Sequence, residues 1–246
     1  MPDYSKVAVP YGQLGDMLSV SFFDQAAGRS FHNVVEHQKR IKAMNTKLIE
    51  EWAILHGDSS NNAMEFDGLG VQLDWTEDAS AYKGNFAFHK ACAQACEDVA
   101  YLGGSPQVLV MSYPAKTALS LNILQLWYAL RQNSGQTPFE DMTPGISVDA
   151  WNFGWGPVDF IAERYMHPDA YDLDTAYLLD DKTIDGRNDG AVIRMVDLLP
   201  VSGYDLALIK TAHRYLVMEI TALMVSIPAY QRKITNIDLS ALETPS

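Results

Sequence analysis

The most regular pattern of apolar and polar positions runs from His32 to Leu55. Apolar residues recur there at steps of three, four and seven, which place them on one face of an α-helix. They are Val34, Ile41, Met44, Leu48, Trp52 and Leu55. A helix of ~24 residues is ~36 Å long, about twice the mean length, and Gly57 marks its end. We expect its apolar stripe to pack into a large core.

Two further helices are predicted in the middle of the chain. The first ends at Gly103 and Gly104 with Pro106 beyond, which is typical of a helix C-terminus. Its apolar stripe consists of Phe88, Cys92, Ala95, Val99 and Leu102. The second opens at Pro114 and runs to about Arg131. With a buried strand between them, they form a helix–strand–helix unit.

The rest of the chain favours extended structure. Residues 5–30 carry scattered glycines around a short apolar run, which predicts an extended, two-stranded excursion that reaches outward. Apolar runs between turn signals predict further strands, and the one at 214–227 is unusually long. The predicted strands lie at 108–111, 146–151, 158–162, 177–179, 206–211, 214–227 and 230–237. Helices and strands do not alternate regularly, so the predicted fold class is α+β.

Composition predicts a folded protein with an acidic surface. The sequence is 48% hydrophobic and 20% charged, which is typical of globular proteins. Its 18 Lys and Arg against 31 Asp and Glu leave a net charge of −13, which argues against sequence-specific nucleic-acid binding. Neither a membrane-spanning run nor the apolar core of a signal peptide occurs, so we expect a soluble protein made in the cytoplasm. The two cysteines form no disulfide framework and suit a reducing compartment.

The motifs of nucleophilic catalysis and nucleotide binding are missing from the sequence. The turn Gly57-Asp58-Ser59-Ser60-Asn61 lacks the final glycine of a nucleophile elbow. Neither of the glycine-rich phosphate-binding motifs occurs. Glu50 and Glu51 point in different directions on a helix and cannot act as a paired acid and base. We therefore predict that the protein is not an enzyme and has neither catalytic residues nor a cofactor.

Two groups of residues have some of the features of a metal site. His89, Cys92 and Cys96 lie on one side of a helix and have the three-ligand chemistry of a catalytic zinc, but Cys92 belongs to the apolar stripe, where free cysteines act as small buried hydrophobes. An EF-type calcium loop that starts at Asp181 would need glutamate at its twelfth position, where Val192 stands. Hairpin turns explain the residues of this loop better than calcium binding does. We expect no metal site, and a zinc-dependent hydrolase remains the rival hypothesis.

Several short sequence strings resemble one known family in their order and spacing. They are Leu55-His56-Gly57-Asp58, Phe66-Asp67-Gly68-Leu69, Gly103-Gly104-Ser105-Pro106, Met111-Ser112 and Arg214-Tyr215. Together with the long helix and the long terminal strands, they resemble the major capsid protein of tailed bacteriophages, which has the Hong Kong 97-type fold. The resemblance covers nearly the whole chain.

The resemblance implies a division of the chain into domains. Residues 1–31 would form the N-terminal segment and an extended loop that overlaps a neighbouring subunit. Residues 32–85 would form a peripheral domain with a spine helix and a β-sheet. Residues 86–205 would form an α/β axial domain around the five-fold and six-fold axes, and 206–246 would return to the peripheral sheet.

The resemblance also implies a function. Many copies, as pentamers and hexamers, would self-assemble in the host cytoplasm into the icosahedral shell of a virion around double-stranded DNA, which the shell holds without sequence specificity. Portal, scaffold and decoration proteins are further candidate partners. The candidate subunit-interface residues are Met17, Leu18, Val20, Phe22, Phe23, Arg40, Lys47, Trp151 and Trp155. A shell protein of a non-viral compartment with the same fold is the alternative, distinguished by its cargo.

Overall fold

A computed structural model describes residues 9–28, 34–84, 86–133, 148–154, 156–167, 173–181, 192–209 and 212–239. The helices are α1 (Phe22–Gly28), α2 (Val34–His56), α3 (Leu69–Gln72), α4 (Ala87–Tyr101) and α5 (Tyr113–Asn133). The strands are β1 (Gly12–Ser21), β2 (Thr76–Asp78), β3 (Val108–Met111), β4 (Ala150–Asn152), β5 (Pro157–Ala162), β6 (Leu173–Leu179), β7 (Ile193–Ile209), β8 (Ala212–Val225) and β9 (Arg232–Asp238). This mixture confirms the α+β class. None of the described helices is long and apolar enough to cross a membrane.

The chain forms two compact units. The first joins Met1–Gln72 to Arg194–Val225, and the second joins Leu73–Ile193 to Ser226–Ser246. The chain passes from one unit to the other after residues 72, 193 and 225, whereas the predicted domain boundaries lie after residues 85 and 205. The last strand, β9, lies in the sheet of the second unit because it pairs there with β2 and β6. The correspondence of the units to peripheral and axial domains stays a prediction.

The first unit is built on a three-stranded sheet with the order β1-β8-β7. Strand β1 runs antiparallel to β8, with Gly12 opposite Thr221. Helix α2 packs against β1 and β8. Side chains alternate along a strand, so Leu14, Leu18 and Val20 share one face of β1, and all three are buried.

The predicted two-stranded excursion over residues 5–30 is wrong for its described part. Residues 12–21 form one strand of the sheet, and residues 22–28 form helix α1. The partner of β1 is a strand about 200 residues further along the chain, and a local pattern contains no information about such pairing. Residues 5–8, 29 and 30 lie outside the described part of the chain.

Helix α2 confirms the predicted long helix but faces the sheet with a different side. Its buried residues are Thr46, Glu50, Ala53 and Leu55. Of the predicted stripe, Ile41, Met44 and Trp52 are exposed, and Met44 retains 61% of its accessible surface. The expectation that the stripe packs into the core is therefore wrong for most of the helix. The sheet presents carboxylates to α2, so α2 turns its lysines and short side chains toward the sheet: Lys42 Nζ lies 2.7 Å from Asp16 Oδ2.

A close approach of two backbone segments ends helix α2. The Gly57 N–H donates to the Ala53 carbonyl at 2.8 Å, and the Gly68 N–H donates to the Gly57 carbonyl at 2.9 Å. A Cβ on Gly68 would lie 2.5 Å from the Ala53 carbonyl oxygen. The fully buried Phe66 fills the space beside this crossing. The strings around Gly57 and Gly68 therefore mark one packing motif.

The second unit contains a six-stranded sheet with the order β2-β9-β6-β3-β5-β4. Strand β3 runs parallel to β5 and antiparallel to β6. The predicted helix–strand–helix unit is confirmed as α4, β3 and α5. Helix α4 buries its predicted stripe up to Val99 in the core of this unit, whereas Leu102, just past the helix end, is exposed.

Strand β7 is much longer than the sequence predicts. The pattern predicted a strand only from residue 206, whereas β7 begins at Ile193. Pro200 and Gly203 interrupt the pattern, because proline donates no ladder hydrogen bond and glycine weakens a strand. Both are tolerated here because β7 lies at an edge of the three-stranded sheet.

The end of helix α4 carries the hydrogen bonds of a Schellman motif. The Gly104 N–H donates to the Val99 carbonyl and the Gly103 N–H to the Ala100 carbonyl, both at 3.0 Å. Gly103 has φ +94°, a conformation that side chains with a Cβ disfavour. The predicted C-terminal signal is confirmed.

We expect Gly103→Ala to lower the free energy of unfolding by about 1 kcal/mol, because alanine resists positive φ. Urea denaturation of the full chain measures this loss. Gly103→Asn is the matched control, and it should lose less because asparagine tolerates this conformation. Equal stability of Gly103→Ala and the unchanged chain would contradict the expectation.

Candidate subunit interface

The outer face of helix α2 carries an apolar stripe that the rest of its unit leaves largely uncovered. We call Ile41, Met44, Leu48 and Trp52 the outer stripe. Their spacing of three, four and four places them on one helical face. Leu48 is half-buried, and the other three are exposed. Exposed apolar side chains on one helical face make the outer stripe a candidate contact surface.

The predicted interface residues on β1 and α1 fall into two groups. Phe22 and Phe23 on α1 are exposed, at 45% and 80% of their surface, and so is Met17. Leu18 and Val20 are buried in the first unit beneath α2, so their side chains cannot meet a neighbouring subunit. The sequence does not separate the buried residues from the exposed ones. Side chains alternate between two faces along β1, but α1 begins directly after it and follows helical spacing, so no single period describes the whole segment.

Strand β1 could contact another chain through its backbone as well as through its side chains. Among the described strands it pairs with β8 alone. Near its start, the Gln13 N–H donates to the Met64 carbonyl at 2.8 Å. A strand of another chain could pair with the remaining edge.

The predicted basic residues of α2 have different surroundings. Arg40 is exposed and lines a cleft of about 730 Å³ between α2, β7 and β8. Lys39 in the same cleft lies 3.5 Å from Asp205 and 4.0 Å from the centre of the Tyr215 ring. Lys47 binds two carboxylates of its own chain. A cleft with mixed charges gives no special affinity for a polyanion.

A cluster of three carboxylates lies inside the first unit, around Lys47. Glu50 on α2, Asp197 on β7 and Glu219 on β8 each place one oxygen within 4.8 Å of the other two. Lys47 Nζ lies 2.6 Å from Glu50 Oε2 and 2.6 Å from Glu219 Oε1. The sequence does not indicate this cluster, because its members are far apart along the chain. Only a charged residue inside the apolar run of β8, Glu219, could have indicated it.

The chain is similar to solved shell structures over nearly its whole length. A scan against protein-family models found no match, and a search of curated proteins found no related sequence. The holo-SrpI encapsulin complex from Synechococcus elongatus is 13% identical with a TM-score of 0.63, over 96% of this chain and 77% of the encapsulin chain. The capsid of Myoviridae phage XM1 is 13% identical with a TM-score of 0.58, over 93% and 74%. A chain of Gordonia phage Cozz is 12% identical with a TM-score of 0.58, over 96% and 78%.

This chain has the Hong Kong 97-type fold. The similarity confirms the resemblance carried by the short sequence strings. Three of those five strings lie at structural junctions of this chain: two form the crossing at Gly57 and Gly68, and one forms the end of α4. They were informative because such junctions restrict residue type through backbone conformation.

Within this Hong Kong 97-type fold, the zinc candidate lies in the core of the second unit. Cys92 and Cys96 are fully buried. Burial raises the pKa of Cys92 well above its usual value and raises the pKa of Cys96 to about 12. Zinc binds the thiolate form. Among the described residues, His89, Cys92 and Cys96 do not form a group whose ligand atoms all lie within 4.8 Å of one another, which disfavours the zinc-hydrolase hypothesis.

The structure describes only one of the two tryptophans that were predicted as interface residues. Trp151 is half-buried, packs against the core of the second unit, and lies 6.2 Å from the His89 ring centre. It therefore contributes mainly to packing within its own chain. Trp155 lies outside the described residues.

We expect His89 to make the chain less stable at mildly acidic pH. Burial lowers its pKa in the folded chain, and its Nε2 atom is buried without a hydrogen-bond partner in the part of the chain that the structure describes. The unfolded chain therefore binds the proton more readily, and stability falls as pH drops below about 6.5. Urea denaturation at pH 7 and pH 5 measures the change.

The matched variant is His89→Phe, which keeps a ring beside Phe153, 5.3 Å away. It should show a smaller loss of stability between the two pH values than the unchanged chain. An identical loss in both proteins would show that His89 does not cause the pH dependence.

Proposed function

We propose that this chain is a structural subunit that self-assembles into a closed icosahedral shell. The observation that carries the proposal is the match of its fold to an encapsulin and to phage capsids over at least 93% of the chain. Those proteins are described as a capsid and an encapsulin complex. A fold shared over the whole chain supports a shared kind of assembly.

The exposed surfaces of the first unit support this proposal. An assembling subunit needs complementary patches, because a shell requires heterologous contacts that close on themselves. The outer stripe of α2, the exposed Phe22 and Phe23, and the edge of β1 are three such patches. We propose that the apolar side chains form the centre of the contact with a second copy of this chain, while Arg40 lies at its polar rim.

Within this class, we propose a tailed-phage major capsid protein that encloses double-stranded DNA in a virion. The net charge of −13 suits a shell lining that does not grip the genome. Portal, scaffold and decoration proteins would be its partners in the host cytoplasm. The similarity to an encapsulin supports the second candidate, a non-viral compartment.

Size-exclusion chromatography and electron microscopy of the purified chain test the proposal. We expect assemblies far larger than the 27.3 kDa chain, with closed shells visible in images. A stable monomer over a range of salt concentrations, also in the presence of a coexpressed scaffold protein, would contradict it. Nuclease-protected DNA inside the particles would favour the phage capsid, and a copurifying enzyme would favour the compartment.

A further inference from the structure

We propose that Glu50, Asp197 and Glu219 form a binding site for a divalent cation of the size of calcium. One oxygen from each carboxylate lies within 4.8 Å of the others. Calcium binds oxygen at about 2.3–2.6 Å, so two ligands of one ion lie at most about 5 Å apart. This upper limit is compatible with coordination of one calcium ion by all three carboxylates.

An unpartnered oxygen points to a missing ligand. Glu219 has a side chain only 1% exposed, and its Oε1 atom accepts from Lys47. Its Oε2 atom is buried and has no hydrogen-bond partner among the described residues. A buried acceptor without a partner is costly, and more so when it is charged. A bound cation would satisfy this oxygen.

The charge of the cluster supports the same conclusion. Three carboxylates and the ammonium group of Lys47 leave a net charge of −2, which one divalent ion would neutralise. Lys47 supplies one positive charge against the three carboxylates and does not balance them.

The cluster is accessible and partly organised. Asp197 is exposed, so an ion can enter from solvent. The Thr221 hydroxyl donates to Asp197 Oδ1 at 2.8 Å and orients this carboxylate, as outer-shell groups do in metal sites. Lys47 retains 49% of its side-chain surface, so its ammonium group can move into solvent when an ion binds. Lys47 is then a competitor of the cation.

Calorimetric titration of the full chain, prepared free of metal with EDTA, tests the site with calcium chloride. We expect one calcium ion per chain and a rise in melting temperature on binding. Glu219→Gln should weaken binding by at least about tenfold. Lys47→Met should tighten it severalfold, because the competing charge is removed. Glu51→Gln, the same change at the next position of the helix, should bind as the unchanged chain does.

Two results would overturn the proposal. One is the absence of calcium binding by both the unchanged chain and Lys47→Met up to about 10 mM, beyond the range of weak calcium modules; the cluster would then be an ion-pair network only. The other is unchanged calcium affinity in Glu219→Gln. If that variant fails to fold, Asp197→Asn replaces it, because Asp197 is exposed. The site does not depend on shell assembly, since its residues belong to one unit of one chain.

Discussion

Met44→Glu is expected to abolish shell assembly while the subunit stays folded. Met44 lies in the middle of the outer stripe and keeps 61% of its surface exposed, so the subunit loses little packing. Its own stability should change by less than about 0.5 kcal/mol. In the assembly, an unpaired carboxylate inside an apolar contact is strongly unfavourable, which weakens each contact by about 3 kcal/mol, or roughly a hundredfold.

Sedimentation and electron microscopy measure the loss of shells, and circular dichroism shows that the subunit remains folded. The control is Glu36→Gln, a change of one charge at an exposed position of the same helix that lies on a different side from the outer stripe, and it should still assemble. Trp52→Glu should repeat the effect of Met44→Glu. Shells of normal yield from both stripe variants would show that α2 does not take part in the contact.

Phe66→Ala is expected to produce the largest loss of stability. The Phe66 ring is fully buried where the end of α2 meets the start of β1, and a Cβ on Gly12 would lie 2.7 Å from its Cδ1 atom. Removing a buried aromatic ring leaves a cavity and costs about 3–5 kcal/mol. Domains are stable by only about 5–15 kcal/mol. The first unit should therefore be close to unfolding at 37 °C.

Urea denaturation followed by circular dichroism measures this loss. Phe23→Ala is the matched control, because Phe23 is 80% exposed and its removal should change stability by less than about 0.5 kcal/mol. Phe23→Ala should instead weaken assembly, because we place Phe23 in the subunit contact. A loss below about 1 kcal/mol in Phe66→Ala would mean that the surrounding residues collapse into the space.

The two faces of helix α2 connect these predictions with the cation site. Its inner face holds Glu50 in the carboxylate cluster, and its outer face exposes Met44. A cation bound at the inner face would stabilise the first unit without touching the outer stripe. Calcium and assembly can therefore be tested separately: Glu219→Gln should lose calcium binding, and Met44→Glu should lose shells.

Local signals in the sequence determined the elements with strong periodicity or sharp termini. Helix α4 and its end at Gly103 were predictable, because helical spacing and a positive φ depend on neighbouring residues. Helix α2 was predictable in length for the same reason. The junction glycines, Gly57 and Gly68, also carried the resemblance to the shell fold, since a side chain there would collide with the backbone.

Tertiary structure alone decided which side of α2 faces inward. Periodicity identifies an apolar stripe but not its partner. Here the sheet places Asp16 and Glu219 beneath the helix. Lys42 therefore turns inward, Lys47 reaches from the edge of the helix to Glu219, and the stripe turns outward. The same long-range pairing made β1 a sheet strand and brought the three carboxylates together. Sequence proximity cannot reveal such contacts, because they form only when distant strands align.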